Sequence, residues 1–484
     1  MADIKSTPRQ RALTLPLLAS TQFVLILDAA IVGVALPSMG AALGFAAADL
    51  SWVANAYILL FGGFLLLGGR VGDLIGRRRT FIVGVLAFTL SSFLGALAQD
   101  PLWLVGARAA QGLSAAFIAP SALALLLVTF PEGKERDRAL GVWGAVAATG
   151  GAAGGLVGGV LTEWLGWASV LYVNVPIGLA VAWLATRILP ADAADAADGR
   201  SGRALDLAGA MTVTAGIGIG IYALIDANDA GWTSPRTLLL AALAVSLVAA
   251  FVLIERRIAN PLVPLTIFRD RLFRTANGIA VLNTMAMFPL FFLLTLYLQR
   301  TLGLSPLEAG LAFLPLSLTL LVSTLQGPRL VSRVGAGPAL VGAMAVTAAG
   351  LAWFALSVAD GSSPVAVVGP SFLTGLGAGV AWTASAVVAT AGASPQDAGL
   401  RSGVLIASQQ VGGAAGLAGI VALAVSLGGT ALGPGVFTAG LQAGLASAAI
   451  IAALGALLAL PLIGWRRPST SMDPSRGSSG AALP

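Results

Sequence analysis

The sequence predicts an all-α membrane protein built from two related six-helix bundles with two further spans inserted between them. Three observations predict it. First, 57% of the 484 residues are apolar and only 10% are charged, against about 25% charged in a soluble domain, so lipid must solvate much of the surface. Second, the apolar residues fall into fourteen stretches of the length that crosses a bilayer, about 20 residues each. Third, the basic residues between those stretches fall almost entirely on one side.

The elements justify themselves in order. Residues 1–11 are polar and basic and read as a short cytoplasmic N-terminus. The run from Ala12 is too long for a signal-peptide core and lacks a clear cleavage site, so span 1 (12–36) is expected to be retained. Span 2 (51–70) runs into Gly69-Arg70-Val71-Gly72-Asp73-Leu74-Ile75-Gly76-Arg77-Arg78-Arg79, and span 3 (80–98) begins at once. An apolar helix cannot end in four arginines and restart unless the connection lies outside lipid. Spans 4, 5 and 6 (102–129, 139–161, 169–189) complete an N-terminal bundle over 12–189. The glycine clusters of span 5 would weaken a soluble helix but suit close packing in lipid.

The stretch 190–205, with Asp192, Asp195 and Asp198, reads as a flexible cytoplasmic linker. Spans 7 and 8 (206–226, 237–254) form the inserted pair over 206–254, followed by a second cytoplasmic linker, 255–272. Spans 9–14 (273–298, 308–327, 338–358, 365–388, 402–426, 436–464) form the C-terminal bundle over 273–464. The Ser-, Pro- and Gly-rich tail, 465–484, is expected to be disordered.

An even number of spans places both termini on one side. Of the 27 lysines and arginines, all but Arg108, Arg236 and Arg300 fall on that side, which puts it in the cytoplasm of a plasma membrane. The alanine- and arginine-rich, lysine-poor usage points to a bacterial source. The loop after span 10, Gly327-Pro328-Arg329-Leu330-Val331-Ser332-Arg333-Val334-Gly335, echoes the loop after span 2 with Ser332 in place of the acid. Weak internal symmetry of this kind marks secondary transporters.

Several functions are excluded by composition. The net charge of +6 sits in short clusters with no continuous basic face, so nucleic acid is not a partner. The chain has no cysteine and no histidine. Disulfides, thiol chemistry and His/Cys metal sites are therefore excluded, and proton handling falls to carboxylates. Lys5 and Lys134 are the only lysines, and neither follows a Gly-rich loop, so there is no P-loop. The chain reads as a non-enzyme with no cofactor. Its expected partners are a small-molecule substrate, protons and the lipid bilayer.

Asp28 is the sharpest candidate residue, deep within Leu25-Ile26-Leu27-Asp28-Ala29-Ala30 of span 1. A carboxylate at mid-membrane costs about 2.5–3.5 kcal/mol on insertion scales, and such acids default to functional roles. Arg108 is the basic residue deepest in a span. It reads as a relay partner of Asp28, as a static ion pair or as a snorkelling side chain. Burial favours the neutral acid and a nearby arginine favours the ion. Gly154, Gly155, Gly158 and Gly159 of span 5 suit close helix approach and flexing. A tentative substrate cavity takes Asn55, Asn283, Met287, Phe288, Phe292, Trp382 and Gln409. Flexible methionines and broad aromatic faces accept varied apolar ligands.

These motifs resemble the major facilitator superfamily, specifically its fourteen-span drug:proton antiporter family, over nearly the whole chain. Gly69–Arg79 resembles the signature loop between spans 2 and 3. Leu27-Asp28 with Ile31-Val32 and Val34–Pro37 resembles the span 1 motif. Arg108 with Gln111-Gly112 resembles the proton-transfer motif. Gly154–Leu161, with Trp167 and Asn174–Gly178, resembles the antiporter motif and its sequel. The resemblance implies proton coupling at Asp28 with Arg108. It also implies a gating latch of Gly69, Gly72, Asp73, Gly76, Arg77 and Arg78, and a hinge at Gly154, Gly155, Gly158 and Gly159. The chain departs from the family at Gly33, Ala30, Gly155 (a proline in the motif) and Ala168. The expected function is proton-coupled export of hydrophobic or cationic small molecules such as antibiotics or dyes, by alternating access. Transport of one specific metabolite and a non-transporting receptor of the same fold are the alternatives.

Overall fold

A computed structural model describes residues 8–46, 49–130, 134–189, 206–258, 261–359, 362–391, 395–428 and 434–463. The linker 190–205 and the tail 465–484 lie outside them. The N-terminal helices are α1 (Pro8–Leu43), α2 (Trp52–Ile75), α3 (Arg77–Ala96), α4 (Pro101–Thr129), α5 (Lys134–Leu165), α6 (Ser169–Tyr172) and α7 (Asn174–Ile188). An inserted hairpin follows, α8 (Leu207–Ala230) and α9 (Pro235–Arg257). The C-terminal helices are α10 (Arg271–Leu296), α11 (Pro306–Ala312), α12 (Leu314–Val334), α13 (Ala336–Ser357), α14 (Val368–Ala389), α15 (Pro395–Gly428) and α16 (Pro434–Ala459). Among the described residues, thirteen spans are long and apolar enough to cross a membrane, and α5, bent by 42°, makes the fourteenth.

Gly76 explains why spans 2 and 3 sit closer than their apolar limits predict. Helix α2 runs on to Ile75 and α3 starts at Arg77, so the expected loop shrinks to one residue. Gly76 has φ +116°, which a side chain would resist. Its N–H closes α2 on the Gly72 carbonyl, and its own carbonyl accepts from the N–H and the hydroxyl of Thr80. The echo loop repeats the device: Gly335 has φ +90°, donates to the Val331 carbonyl and accepts from the Ala339 N–H. Arginines in the first turn of α3 oppose its dipole. Arg78 offsets this by donating to the Thr186 carbonyl at the end of α7.

Two spans are broken where one helix each was expected. Span 6 divides into α6 and α7 and span 10 into α11 and α12. Pro176 and Pro315 stand in the first turn of the second piece, where a missing N–H is tolerated but cannot continue the preceding helix.

Helices α1–α7 pack mainly on one another, as do α10–α16, while α8 bridges α2 and α15. One buried core runs across both bundles, joining Ile31, Ala35 and Met39 of α1 to Leu294 and Tyr297 beyond. Helix α9 is apolar all round. Little of it is buried, and it exposes Leu238, Leu239, Leu243 and Val245, the pattern of a lipid-solvated helix.

Candidate functional site

Four helices converge on Asp28. Its side chain and that of Arg108 are 0% and 2% exposed. Arg108 of α4 donates from Nη1 to Asp28 Oδ2 at 2.7 Å. Asn174, the first residue of α7, donates from Nδ2 to Asp28 Oδ1 at 2.6 Å. Gln111, one turn after Arg108, donates to the same oxygen at 3.4 Å and to the Ser92 hydroxyl of α3 at 2.6 Å. Arg108 is held further by the Gln111 carbonyl at 2.8 Å and the Val53 carbonyl at 3.1 Å. Its guanidinium stacks 4.5 Å from the Tyr57 ring centroid.

Every hydrogen-bond partner named for the Asp28 carboxylate is a donor. Protonating Asp28 would set its O–H against Arg108 or Asn174 and break the network. Asp28 and Arg108 are paired in this arrangement, as a relay at rest and a static ion pair both require. Sequence reasoning missed Asn174, Ser92 and Tyr57 as members of the cluster. Each is a polar or phenolic residue within a span, a signal that a partner is needed in lipid but not of which partner.

The glycines of α5 sit on two adjacent faces. A Cβ at Gly158 would meet the Ile31 carbonyl of α1 at 2.9 Å, and one at Gly154 would strike Ala30. On the next face, a Cβ at Gly159 would meet the Pro306 carbonyl at 2.7 Å, and Gly155 lies 3.4 Å from Phe313 by the same measure. The α5 backbone therefore touches α1 of its own bundle and α11 and α12 of the other. At the same arginine-poor end, Glu163 accepts from the Leu307 N–H at 2.8 Å, in the first turn of α11. Gln299 donates to the Val34 carbonyl at 2.8 Å. These contacts seal that end between the bundles. Glu163 went unnoticed in the sequence because a lone acid at a span end looks like solvated surface.

In the signature segment, Gly69 packs near Pro120, Gly72 near Ser121 and Arg78 on α7. Arg77 belongs to the first turn of α3. The Asp73 side chain lies outside the described residues. Arg70 donates to the Pro261 carbonyl at 2.8 Å.

The tentative cavity residues are dispersed. Asn55 is fully buried on α2, and neither end of its amide is hydrogen-bonded by the described residues. Asn283 is also buried, with its carbonyl oxygen unpartnered. Met287 and Phe292 are buried in the core that joins the bundles. Phe288 packs on Gly413, one turn beyond the buried Gln409. Trp382 is 38% exposed, and no described hydrogen bond or ring contact joins it to the others.

The family model of the Major Facilitator Superfamily matches residues 18–417 and again 278–482. The cephamycin export protein of Amycolatopsis lactamdurans is 41% identical over 423 residues, covering 87% of this chain and 86% of its own. The puromycin resistance protein of Streptomyces alboniger is 42% identical over 411 residues, covering 84% and 80%. The multidrug resistance protein Stp of Mycobacterium tuberculosis is 35% identical over 411 residues, covering 85% and 75%. Among solved structures, a bacterial homologue of the human lysosomal transporter Spinster superposes with a TM-score of 0.67 at 16% identity, covering 95% and 98%. The peptide transporter PepTSo superposes at 0.65 with 16% identity, covering 93% and 98%.

Proposed function

The chain belongs to the major facilitator superfamily and is a multi-pass membrane transporter, and from that premise we propose that it exports hydrophobic or cationic small molecules, such as antibiotics, in exchange for protons. The observation that carries this reading is the buried Asp28–Arg108 pair, knit to Gln111 and Asn174, in a chain about two-fifths identical to antibiotic export and resistance proteins. A carboxylate whose named hydrogen-bond partners are all donors must lose or turn one of them to take a proton. That requirement ties protonation to a change of conformation. One charge crossing 100 mV is worth about 2.3 kcal/mol, roughly a fifty-fold gradient.

With the arginine-rich end and both termini in the cytoplasm, the sealed end faces outside. Spans 1–6 (12–189) then rock against spans 9–14 (273–464), with 206–254 riding between them. Gly154, Gly155, Gly158 and Gly159 act as the packing hinge of the outer seal. Gly69, Gly72, Asp73, Gly76, Arg77 and Arg78 act as the inner latch. Asn55, Asn283 and Gln409, with Met287, Phe288, Phe292 and Trp382, supply the substrate surface when the bundles part. The unpaired amide of Asn55 and the unpaired carbonyl oxygen of Asn283 favour this, because a buried polar group without a partner is costly unless something fills its bonds.

The test is efflux of a dye and antibiotic panel from cells expressing the protein, with and without an uncoupler, for wild type and Asp28→Asn. Uncoupler-sensitive efflux of several compounds, lost in Asp28→Asn while the protein stays in the membrane, is expected. Wild-type coupling in that variant removes Asp28 from the mechanism. Growth on a single nutrient without broad resistance overturns the export reading.

A further inference from the structure

A second pair of buried acids lies away from Asp28, where α8 begins and α9 ends. Asp206 precedes α8 and Glu255 sits in the last turn of α9, only 2% and 4% exposed. One oxygen of each is used. Asp206 Oδ1 caps α8 by accepting from the Gly209 N–H at 2.7 Å. Glu255 Oε2 accepts from the Val263 N–H at 3.1 Å. The other oxygens, Asp206 Oδ2 and Glu255 Oε1, meet no N–H or O–H donor among the described residues, and the Asp206 carboxyl lies beside that of Glu255.

Among the described residues, the nearby basic side chains are turned elsewhere. Arg256, Arg257 and Arg269 are exposed. Arg70 of α2, the guanidinium on the adjoining helix, is engaged with the Pro261 carbonyl at 2.8 Å. Residues 261–263 carry no charged side chain, and Asp206 is the acid that α8 brings to the site. Two carboxylates in contact within a buried site cannot both ionise without a counter-charge. A single proton solves the geometry: one acid donates its O–H to the free oxygen of the other.

We propose that Asp206 and Glu255 form a proton-binding carboxyl pair, separate from Asp28, which docks the 261–263 segment against the end of α2. The segment bridges the two. Val263 is tied to Glu255 and Pro261 to Arg70, while Leu262 packs with Leu67 and Ala210. Arg70 belongs to the signature segment, so the proton site and that segment share one short strap. Loss of the proton makes Glu255 the better acceptor for the Val263 N–H but leaves two negative charges in contact; their repulsion outweighs one hydrogen bond, drives the carboxyl groups apart and releases the strap. The site is a proton-occupied clasp at the arginine-rich end of the inserted hairpin.

Infrared spectroscopy of the purified full-length protein in lipid nanodiscs tests this without reference to transport. A protonated-carboxyl C=O band is expected at neutral pH, and it should vanish on alkaline titration. It should be absent in Glu255→Gln and in Asp206→Asn, and retained in Asp28→Asn. Both substitutions keep the existing bonds, since an amide oxygen can still cap α8 or accept from Val263, so monodisperse, folded variants are expected. If one variant fails to fold, the other reads the same band. A wild-type spectrum without the band means that a cation neutralises the pair, and overturns the proposal. So does a band that survives both substitutions. Limited proteolysis gives a second readout: cleavage near 261–263 should rise at alkaline pH in the wild type and lose its pH dependence in Glu255→Gln. Unchanged pH-dependent cleavage in that variant removes the strap from the proposal.

Discussion

Removing the Asp28 charge should destabilise the protein chiefly by stranding Arg108. In Asp28→Asn the guanidinium, 2% exposed as a side chain, loses its counter-charge. It keeps the Gln111 and Val53 carbonyls and the Tyr57 ring. Breaking a buried ion pair at one partner costs about 3–5 kcal/mol. Two residual acceptors and a desolvated cation–π contact of about 2 kcal/mol place the expected loss at the low end, about 3 kcal/mol. Arg108→Gln should cost a similar amount, because it leaves the carboxylate with only Asn174 and Gln111. The double variant replaces the ion pair by two neutral amides that can bond each other. It should therefore recover most of one single loss. The assay is equilibrium unfolding of purified protein in mixed detergent and SDS, read by tryptophan fluorescence, as a double-mutant cycle. Strictly additive losses would refute the reasoning, because independent sites add and contacting ones do not.

Three further outcomes follow from the sealed end and the signature segment. Gly159→Ala should loosen the seal and increase labelling of cysteines engineered at the arginine-poor end, because its Cβ would meet the Pro306 backbone at 2.7 Å. Gly155→Ala, with its nearest neighbour at 3.4 Å, should leave labelling near wild type; equal effects of the two would contradict the packing argument. Glu163→Gln keeps an acceptor for the Leu307 N–H but removes the charge at the start of α11. It should shift spin-label distances across the arginine-poor end toward separation. The wild type should make the same shift as the pH on that side falls, since a protonated carboxyl is a poorer acceptor; a pH response retained in Glu163→Gln assigns it to another group. Asp73→Asn should alter the distribution between conformations without abolishing proton coupling, and an unchanged efflux rate and distribution would remove Asp73 from gating.

Much of this fold was legible because lipid imposes a coarse code. Apolar runs and one-sided arginines mark each span, and those signals survive without any tertiary information. The exact turn at Gly76 was not legible from hydropathy, because Arg70 and Asp73 are polar yet helical. Hydropathy reports the edge of the lipid, and the helix continues past it. The breaks at Val173 and Phe313 were hidden for the opposite reason: both lie in apolar sequence, and only the nearby prolines hinted at them. Asp28 and Arg108 were recognisable singly by their cost in the membrane. Their partners were not, because Ser92, Asn174 and Tyr57 come from three other helices and acquire meaning only when α3, α7 and α2 meet. The Asp206–Glu255 contact joins residues at opposite ends of a hairpin, and nothing in either local sequence announces it.

Helix α5 is the physical link between the acid and the seal. Asp28 lies two and three residues before Ala30 and Ile31, the α1 positions that Gly154 and Gly158 touch. Gly155 and Gly159, one residue along, touch Phe313 and Pro306 of the other bundle. Backbone therefore meets backbone at this point, with no flexible side chain between to absorb a shift of α1. A rearrangement that lets Asp28 exchange Arg108 for a proton moves the same turn of α1 that bears on α5. Close-packed contacts transmit displacement because their alternatives are overlap or void. An alanine at Gly154 or Gly158 would wedge α1 from α5, whereas one at Gly159 would wedge α5 from α11. The first pair should disturb proton coupling before the outer seal, and the last should disturb the seal before coupling. Parallel measurement of uncoupler-sensitive efflux and arginine-poor-end labelling separates the two orders, and an identical pattern for all three glycines would mean that α5 carries no directional link.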